Sequence, residues 1–180
     1  MKIEDNFLEQ KVFDELQTLM MGENFAWYFR SRYYAKIASD TSYIGLKEED
    51  VLDQFQFTHT FYEDKTPQSS YMEQVQCFLE LLSVLSIGRI RANLNTRLPT
   101  FIKNPFHSDM ENILEEKQKQ WTTSIFYVNT NDGYTEFEDG TKVESVANRM
   151  LTFPANTKHT GTTCTDQQTR VVINFNYFER

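Results

Sequence analysis

Apolar residues recur every three or four positions in two stretches of the N-terminal half, a spacing that lines one face of a helix. The first stretch covers about residues 4–22 and ends at Gly22, and the second covers about 69–87 and ends at Gly88. Glycine is common just after the last turn of a helix. The chain is therefore predicted to contain two amphipathic helices at these positions.

A different pattern, strict alternation of apolar and polar residues, predicts half-buried β-strands in the rest of the chain. It is clearest in QFQFTHTF at 54–61 and in GRIRANLNTRL from residue 88 onward. Aromatic residues predict another strand around 26–36, and further strand-like runs lie at 121–129, 134–138, 146–153 and 169–178. Helices followed mainly by short strands predict an α+β fold, mainly β, whose C-terminal part forms a sandwich or a jelly-roll barrel.

Length and composition narrow the classes of function. A chain of 180 residues without a repeat or linker is predicted to be one domain spanning 1–180. Its 26 acidic residues exceed its 18 basic ones, giving a formal net charge of −8 that argues against nucleic acids and anionic membranes as partners. We find no leader-like start and no apolar run of membrane-spanning length, so we expect a cytoplasmic protein. Cys77 and Cys164 form no CxxC pair and are expected to be reduced thiols.

Only three histidines occur in the chain, so a site built from imidazoles must use His59, His107 or His159. His107 and Asp109 form an H-x-D sequence, and in an extended segment such side chains leave the same face and can reach one metal ion. Together with His159 they make the two histidines and one carboxylate that are typical of a facial triad for non-haem Fe(II). His59 lies among phenylalanines and is predicted to be a core or pocket-lining histidine.

A single arginine lies on the last predicted strand, eleven residues after His159. Alternation places Arg170 on the face that also carries Asn174 and Asn176, and a turn at 161–168 would bring it back beside His159. A guanidinium held inside a protein binds carboxylates with two parallel hydrogen bonds. If a 2-oxo acid occupies two open metal positions, an inward Arg170 could bind the far carboxylate of 2-oxoglutarate.

These residues together resemble the Fe(II)- and 2-oxoglutarate-dependent dioxygenase superfamily, nearest in pattern to its prolyl-hydroxylase branch. The resemblance covers about residues 88–178 and implies a double-stranded β-helix, or jelly-roll, core with the N-terminal helices as support. It implies that His107, Asp109 and His159 bind Fe(II) and that Arg170 anchors 2-oxoglutarate as the co-substrate.

Two further segments carry the resemblance. SIFYVN at 124–129 resembles the family strand whose tyrosine bonds to the distal carboxylate of the co-substrate, a role that falls on Tyr127. NDGYTEF resembles a family turn and strand usually written with paired glycines, although Tyr134 stands in place of the second glycine. The implied reaction is hydroxylation of a peptidyl or free amino-acid side chain with release of succinate and carbon dioxide.

Polar residues on the same strand faces are candidates for the substrate pocket. They are Arg91, Asn93, Asn95, Asn174 and Asn176. The alternative is that these asparagines only bond to neighbouring loops. The expected partner is a small molecule or a peptide, and the sequence indicates no oligomeric state.

Three other functions are also compatible with the sequence. A cupin-like metalloenzyme would share the barrel and metal but would not need Arg170 in register with His159. A non-catalytic jelly-roll binding module would hold no metal. A nucleic-acid demethylase of the same superfamily is weakened by the net charge of −8, although Arg89, Arg91 and Arg97 could form a local basic strip.

Overall fold

The computed structural model describes residues 1–31, 55–109 and 113–180 of the chain. The helices are α1 (Gln10–Met21), α2 (Gln76–Leu81) and α3 (Glu115–Gln118), with a 3-10 turn at Met72–Val75 before α2. The strands are β1 (Lys2–Glu4), β2 (Tyr28–Ser31), β3 (Phe55–Glu63), β4 (Thr66–Pro67), β5 (Val84–Thr96), β6 (Thr122–Tyr127), β7 (Asn131–Phe137), β8 (Lys142–Ser145), β9 (Arg149–Pro154), β10 (His159–Gly161) and β11 (Thr169–Glu179). In these ranges no helix has the length and apolar character needed to cross a membrane.

The strands form two antiparallel sheets with an apolar cluster between them. The larger sheet has the order β1-β9-β6-β11-β5-β3-β2, and the smaller has the order β10-β7-β8. Residues 101–109 run antiparallel to β10 through bridges at Lys103–Thr162 and His107–His159, which extends the smaller sheet. Side chains of β6, β9 and β11 pack against those of β7 and β8 in the interior. The prediction of a mainly β, jelly-roll fold is confirmed.

Strand β11 lies in the middle of the larger sheet and is buried on both faces. Ile173 and Phe175 point to the outer side, where Phe13 of α1 and Phe78 of α2 cover the sheet. Val172 points to the inner side with the barrel cluster. Because successive side chains of a strand alternate, Arg170 must share the barrel side with Val172.

Both predicted helices are shorter than their apolar patterns. The first was predicted over about 4–22, but Lys2–Glu4 instead pairs with β9 and α1 begins only at Gln10. Asn148 explains the delayed start, because its side chain accepts from the Leu8 N–H and donates to the Leu8 carbonyl, each at 2.9 Å. These two hydrogen bonds hold the backbone at Leu8 in a non-helical position, so that α1 begins after it.

The second helix was predicted over about 69–87, but α2 stops at Leu81 and β5 begins at Val84. Ser83 turns the chain with a φ of 51°, which breaks helical geometry. The predicted strand at 146–153 is likewise divided, because Asn148 has a φ of 61° and separates β8 from β9. Of the strand predicted around 26–36, residues 28–31 form β2, and the positions beyond 31 lie outside the described residues.

Candidate active site

The three candidate metal ligands lie at one end of the barrel, on two neighbouring segments of the smaller sheet. His107 and His159 face each other as a backbone pair, with N···O distances of 3.0 and 2.9 Å in the two directions. The Asp109 N–H donates to the Ala155 carbonyl at 2.9 Å. One nitrogen of each imidazole and one oxygen of Asp109 all lie within 4.8 Å of one another.

Each imidazole is oriented by a backbone carbonyl on its Nδ1 side. His159 Nδ1 lies 3.0 Å from the Thr157 carbonyl oxygen, and His107 Nδ1 lies 3.3 Å from the Pro105 carbonyl oxygen. A carbonyl can only accept, so Nδ1 carries the proton and Nε2 keeps its lone pair. Burial lowers the pKa of His159 below its ordinary value, against the opposing effect of Asp109. A neutral imidazole with a free Nε2 is the form that binds metals.

Asp109 is held as a carboxylate by two hydrogen-bond donors and one cation. Its Oδ2 accepts from Thr123 Oγ1 at 2.8 Å and from Asn176 Nδ2 at 3.0 Å, and its Oδ1 lies 3.5 Å from Arg89 Nη2. Burial raises the pKa of Asp109, but His159, Thr123 and Arg89 together hold that pKa below its ordinary value. The candidate ligand set therefore consists of one carboxylate and two neutral imidazoles, with ligand atoms within 4.8 Å of one another.

Arg170 lies deeper in the same pocket, only 3% exposed. Its Nε donates to Ser145 Oγ at 2.9 Å and its Nη2 donates to Thr135 Oγ1 at 3.3 Å. Burial lowers the pKa of this guanidinium, although an arginine stays protonated in proteins. Among the described residues no carboxylate lies within ion-pair distance of Arg170. A buried guanidinium without a carboxylate partner favours the binding of an anionic ligand.

Tyr127 lies beside Arg170 but does not point a free hydroxyl at the pocket. Its hydroxyl donates to Thr135 Oγ1 at 2.8 Å, and the Arg170 Cζ lies 5.7 Å from the centre of its ring. Burial raises the pKa of Tyr127, so the phenol stays protonated. Because Thr135 Oγ1 accepts from both Tyr127 and Arg170, its own hydrogen is left to donate into the pocket.

Gly133 leaves the space that Arg170 occupies. A Cβ at this position would lie 2.6 Å from Arg170 Cδ, 2.8 Å from Asn131 Oδ1 and 2.8 Å from the Thr163 carbonyl oxygen. Contacts of this kind are shorter than van der Waals separation, and one of them is to backbone. The glycine of NDGYTEF is therefore required for the close approach of the guanidinium.

One pocket joins the three candidate ligands to Arg170. It is lined by Gln56, Arg89, Asn93, Asn95, Asn104, His107, Asp109, Ile125, Thr135, His159, Gly161, Arg170, Val172 and Asn174. Strand register explains the lining, because β5 and β11 pair with Asn95 opposite Arg170 and Asn93 opposite Val172. Side chains opposite each other in a sheet leave the same face.

The five predicted substrate residues fall into three groups. Asn93, Asn95 and Asn174 line the pocket. Asn176 is fully buried and donates to Asp109. Arg91 is not among the lining residues, because its guanidinium turns toward β3 and donates to Glu63 at 2.7 Å.

His59 lies outside the site, as predicted. It is 4% exposed, its Nδ1 lies 2.7 Å from the Ala26 carbonyl oxygen, and its Nε2 lies 2.7 Å from Ser69 Oγ. Its ring packs against Phe25 at a centroid distance of 4.4 Å. The prediction of a core histidine is confirmed.

Sequence reasoning missed the residues that hold the site residues in place. They are Thr123, Thr135, Ser145 and, in its contact with Asp109, Arg89. Alternation from Asn93 could have indicated Arg89, since both lie on the same face of β5. No local pattern marks the three hydroxyl residues, because their partners are distant in sequence.

The donor set fits a divalent metal. Such an ion is commonly bound by two imidazole nitrogens and one carboxylate. In such sites carbonyl oxygens usually hold the other ring nitrogens, and hydrogen-bond donors hold the carboxylate, as they do here. His107, Asp109 and His159 would hold it. Open space toward Arg170 and the asparagines leaves room for other ligands.

Comparison with known proteins gives matches at the level of structure only. No protein-family model matches the chain, and no curated protein sequence matches it. A prolyl-4-hydroxylase of Pseudomonas putida matches with a TM-score of 0.58 and 13% identity, over 99% of this chain and 92% of that one. A Trichoplax adhaerens prolyl hydroxylase, solved in complex with a hypoxia inducible factor oxygen degradation domain peptide fragment, matches with a TM-score of 0.62 and 15% identity, over 99% and 83%.

A third solved structure shows how varied the chemistry on this fold is. A non-heme alpha ketoglutarate dependent epimerase from nogalamycin biosynthesis matches with a TM-score of 0.60 and 12% identity, over 98% of this chain and 76% of that one. At such identities the likeness shows the fold. The chain has the double-stranded β-helix fold of 2-oxoglutarate-dependent oxygenases of the prolyl-hydroxylase type, and the resemblance seen in the sequence is confirmed at that level.

Proposed function

We propose that the chain is an Fe(II)- and 2-oxoglutarate-dependent dioxygenase that hydroxylates a small molecule or an amino-acid side chain. One observation carries the proposal: a His107, Asp109 and His159 cluster opens into the same pocket as a buried arginine without a described acidic partner. A metal and a dicarboxylate would satisfy both features at once. 2-Oxoglutarate is such a dicarboxylate, with an oxo-acid end for the metal and a second carboxylate for Arg170.

The roles of the residues follow from their surroundings. His107, Asp109 and His159 would hold Fe(II), and the bound metal with 2-oxoglutarate supplies the oxidation, in which the co-substrate becomes succinate and carbon dioxide. Arg170 would bind the distal carboxylate of 2-oxoglutarate, with Thr135 donating a further hydrogen bond. Tyr127 supports Thr135 through the bond between their hydroxyls.

The substrate proposal depends on the other side of the pocket. Asparagine side chains and Arg89 line it, so it favours a polar substrate over an apolar one. One structural neighbour was solved with a peptide, which is consistent with hydroxylation of a peptidyl or free amino-acid side chain. The formal net charge of −8 argues against long polyanions.

Two of the three other functions considered from the sequence fit these contacts less well. A cupin-like metalloenzyme that does not use 2-oxoglutarate has no need of a buried cation next to the metal site. A non-catalytic binding module has no need of two histidines whose ring nitrogens lie within 4.8 Å of each other and of a carboxylate oxygen. Burying an arginine without a counter-charge is costly, so Arg170 favours the oxygenase.

The test is anaerobic titration of the purified protein with Fe(II) and then 2-oxoglutarate, followed by measurement of succinate after oxygen is admitted. We expect one metal per chain, 2-oxoglutarate binding that depends on the metal, and succinate release. Asp109→Ala should abolish both metal binding and succinate release. Asp14→Asn, which changes an exposed carboxylate on α1, is the matched control and should leave both unchanged. Wild-type turnover in Asp109→Ala would contradict the proposal.

A further inference from the structure

Arg89 is the second cation of the pocket, on the side opposite Arg170. It lies on β5 directly across from Asn176 of β11, and its side chain is 31% exposed. Only its Nη2 has partners among the described residues: the Asn176 Oδ1 at 3.1 Å and the Asp109 Oδ1 at 3.5 Å. A guanidinium has five N–H donors. Those on Nε and Nη1 are left without an acceptor in the described part of the chain.

Arg89 has no acidic partner of its own in the described part of the chain. Arg91, two residues along the same strand, has an acidic partner of its own in Glu63 at 2.7 Å. Arg89 shares Asp109 with the candidate metal site, where the carboxylate would also serve the metal. Arg30 and Arg89 both act electrostatically on Arg91. Among the described residues, Arg89 therefore has no acidic partner besides Asp109, which it would share with the metal.

Two asparagine side chains lie with Arg89 on the same side of the pocket, which we call the Arg89 wall. Asn93 lies on β5 and Asn174 on β11, both line the pocket, and no hydrogen bond joins either side-chain amide to another described residue. An amide can donate to a carboxylate and can accept from an ammonium or an amide N–H. The Arg89 wall therefore offers a substrate one cation and two amides that can each donate and accept hydrogen bonds.

We infer that the substrate carries a carboxylate that binds Arg89, and that the polar groups next to this carboxylate form hydrogen bonds with Asn93 and Asn174. The inference rests on the proposed function, because it assigns Arg170 to the co-substrate and Arg89 to the substrate. The carboxylate has two chemical sources. It is either that of a free amino acid or that of the C-terminal residue of a peptide.

The test compares matched probes on protein loaded with Zn(II) and 2-oxoglutarate, in which binding is measured without turnover. The probes are the common L-amino acids, their primary amides and their N-acetyl derivatives, and the readouts are calorimetry and the Arg89 Nε–H resonance. A hydrogen bond to a charged group changes affinity by about tenfold to a hundredfold. We expect at least one acid to bind about tenfold or more tightly than its amide and to shift the Arg89 resonance. Equal binding of the N-acetyl derivative assigns the peptide source, and its failure assigns the free amino acid.

Variants separate the substrate anchor from a structural role. Arg89→Gln should reduce the preference for acid over amide to about twofold. It should lower 2-oxoglutarate affinity less than Arg170→Gln does, because Arg89 reaches the candidate metal site only through its contact with Asp109 at 3.5 Å. Arg89→Lys keeps the charge and should keep part of the preference. Arg97→Gln removes an exposed charge beyond the end of β5 and should keep all of it.

Several results would overturn the inference. The first two concern the probes: amides that bind as tightly as the acids, or a panel in which no acid binds. The other two concern Arg89→Gln: a preference for acid over amide that equals that of wild type, or a loss of 2-oxoglutarate affinity as large as in Arg170→Gln. Failure of the proposed function looks different. In that case the wild-type protein does not bind 2-oxoglutarate with metal present, while the acid-to-amide comparison on the zinc protein still decides the role of Arg89.

Discussion

Replacing Arg170 with methionine should separate the stability of the protein from its affinity for 2-oxoglutarate. Methionine has a similar length, no charge and enough flexibility to fill the vacated volume. The substitution removes a cation that is 3% exposed and has only two hydroxyl partners, Ser145 and Thr135, among the described residues. If the guanidinium exists to bind a ligand, the ligand-free protein gains little from it.

The two effects have opposite signs. Burial of an ion costs several kcal/mol, and hydrogen bonds to a charged group return about 1.5 to 3 kcal/mol each. We therefore expect the free energy of unfolding of ligand-free Arg170→Met to be unchanged or higher by about 1 to 2 kcal/mol. Loss of two charge-assisted hydrogen bonds to 2-oxoglutarate costs at least about 3 kcal/mol, which is a hundredfold or more in its dissociation constant.

Urea unfolding with Zn(II) in place of Fe(II), with and without 2-oxoglutarate, measures both effects. At a concentration one hundred times the wild-type dissociation constant, the ligand should stabilise the wild-type protein by about 2.7 kcal/mol. It should stabilise a variant that binds a hundredfold more weakly by only about 0.4 kcal/mol. Arg149→Met is the control, because Arg149 has its own partner in Asp5 at 2.6 Å and lies outside the pocket. It should keep the full response to the ligand.

Two results would refute this reasoning. A ligand-free Arg170→Met protein that loses more than about 2 kcal/mol would show that Arg170 serves the fold, as a core residue does. A variant that still gains about 2.7 kcal/mol from 2-oxoglutarate would show that the co-substrate does not bind to Arg170.

Three further predictions address other parts of the structure. His107→Ala should lower Zn(II) stoichiometry in equilibrium dialysis from one to well below one, and unaltered stoichiometry would remove His107 from the ligand set. Gly133→Ala should lower 2-oxoglutarate affinity at least about tenfold in calorimetry, because its Cβ would lie 2.6 Å from Arg170 Cδ and overpacking shifts side chains; an unchanged affinity would contradict that. Burial lowers the pKa of His59 from 6.5, so below about pH 6.5 the unfolded chain binds a proton that the native protein does not. Urea unfolding free energy should therefore fall more steeply with acid in wild type than in His59→Gln, and equal slopes would exclude this role.

The site could be predicted from sequence where a local rule connects its residues. His107 and Asp109 are two positions apart in an extended segment, and Arg170 shares a strand face with Val172 and Asn174, so alternation alone predicts which side chains point together. The small number of histidines also narrowed the choice of candidate metal ligands, since only three occur in the chain.

Alternation could not distinguish Arg89 from Arg91, which lie on the same face of β5. The difference comes from pairing with β3, where a register shift lies between Thr60 and Tyr62 and Glu63 comes within reach of Arg91. Arg89 instead meets the carboxylate of Asp109. Such contacts depend on strand register between distant segments, which no local pattern contains.

The start of α1 was missed for the same reason. The apolar spacing from Phe7 onward fits a helix, but hydrogen bonds from Asn148 hold Leu8, 140 residues away in sequence. A tertiary contact of this kind overrides local helix propensity.

The backbone pairing of His107 with His159 also bears on how the proposed metal site forms. Two main-chain hydrogen bonds hold the two histidines opposite each other, and Thr123 and Asn176 hold Asp109. Contacts within the protein thus position the three candidate ligands. Under the proposed function, a metal would enter a site whose geometry it does not have to create.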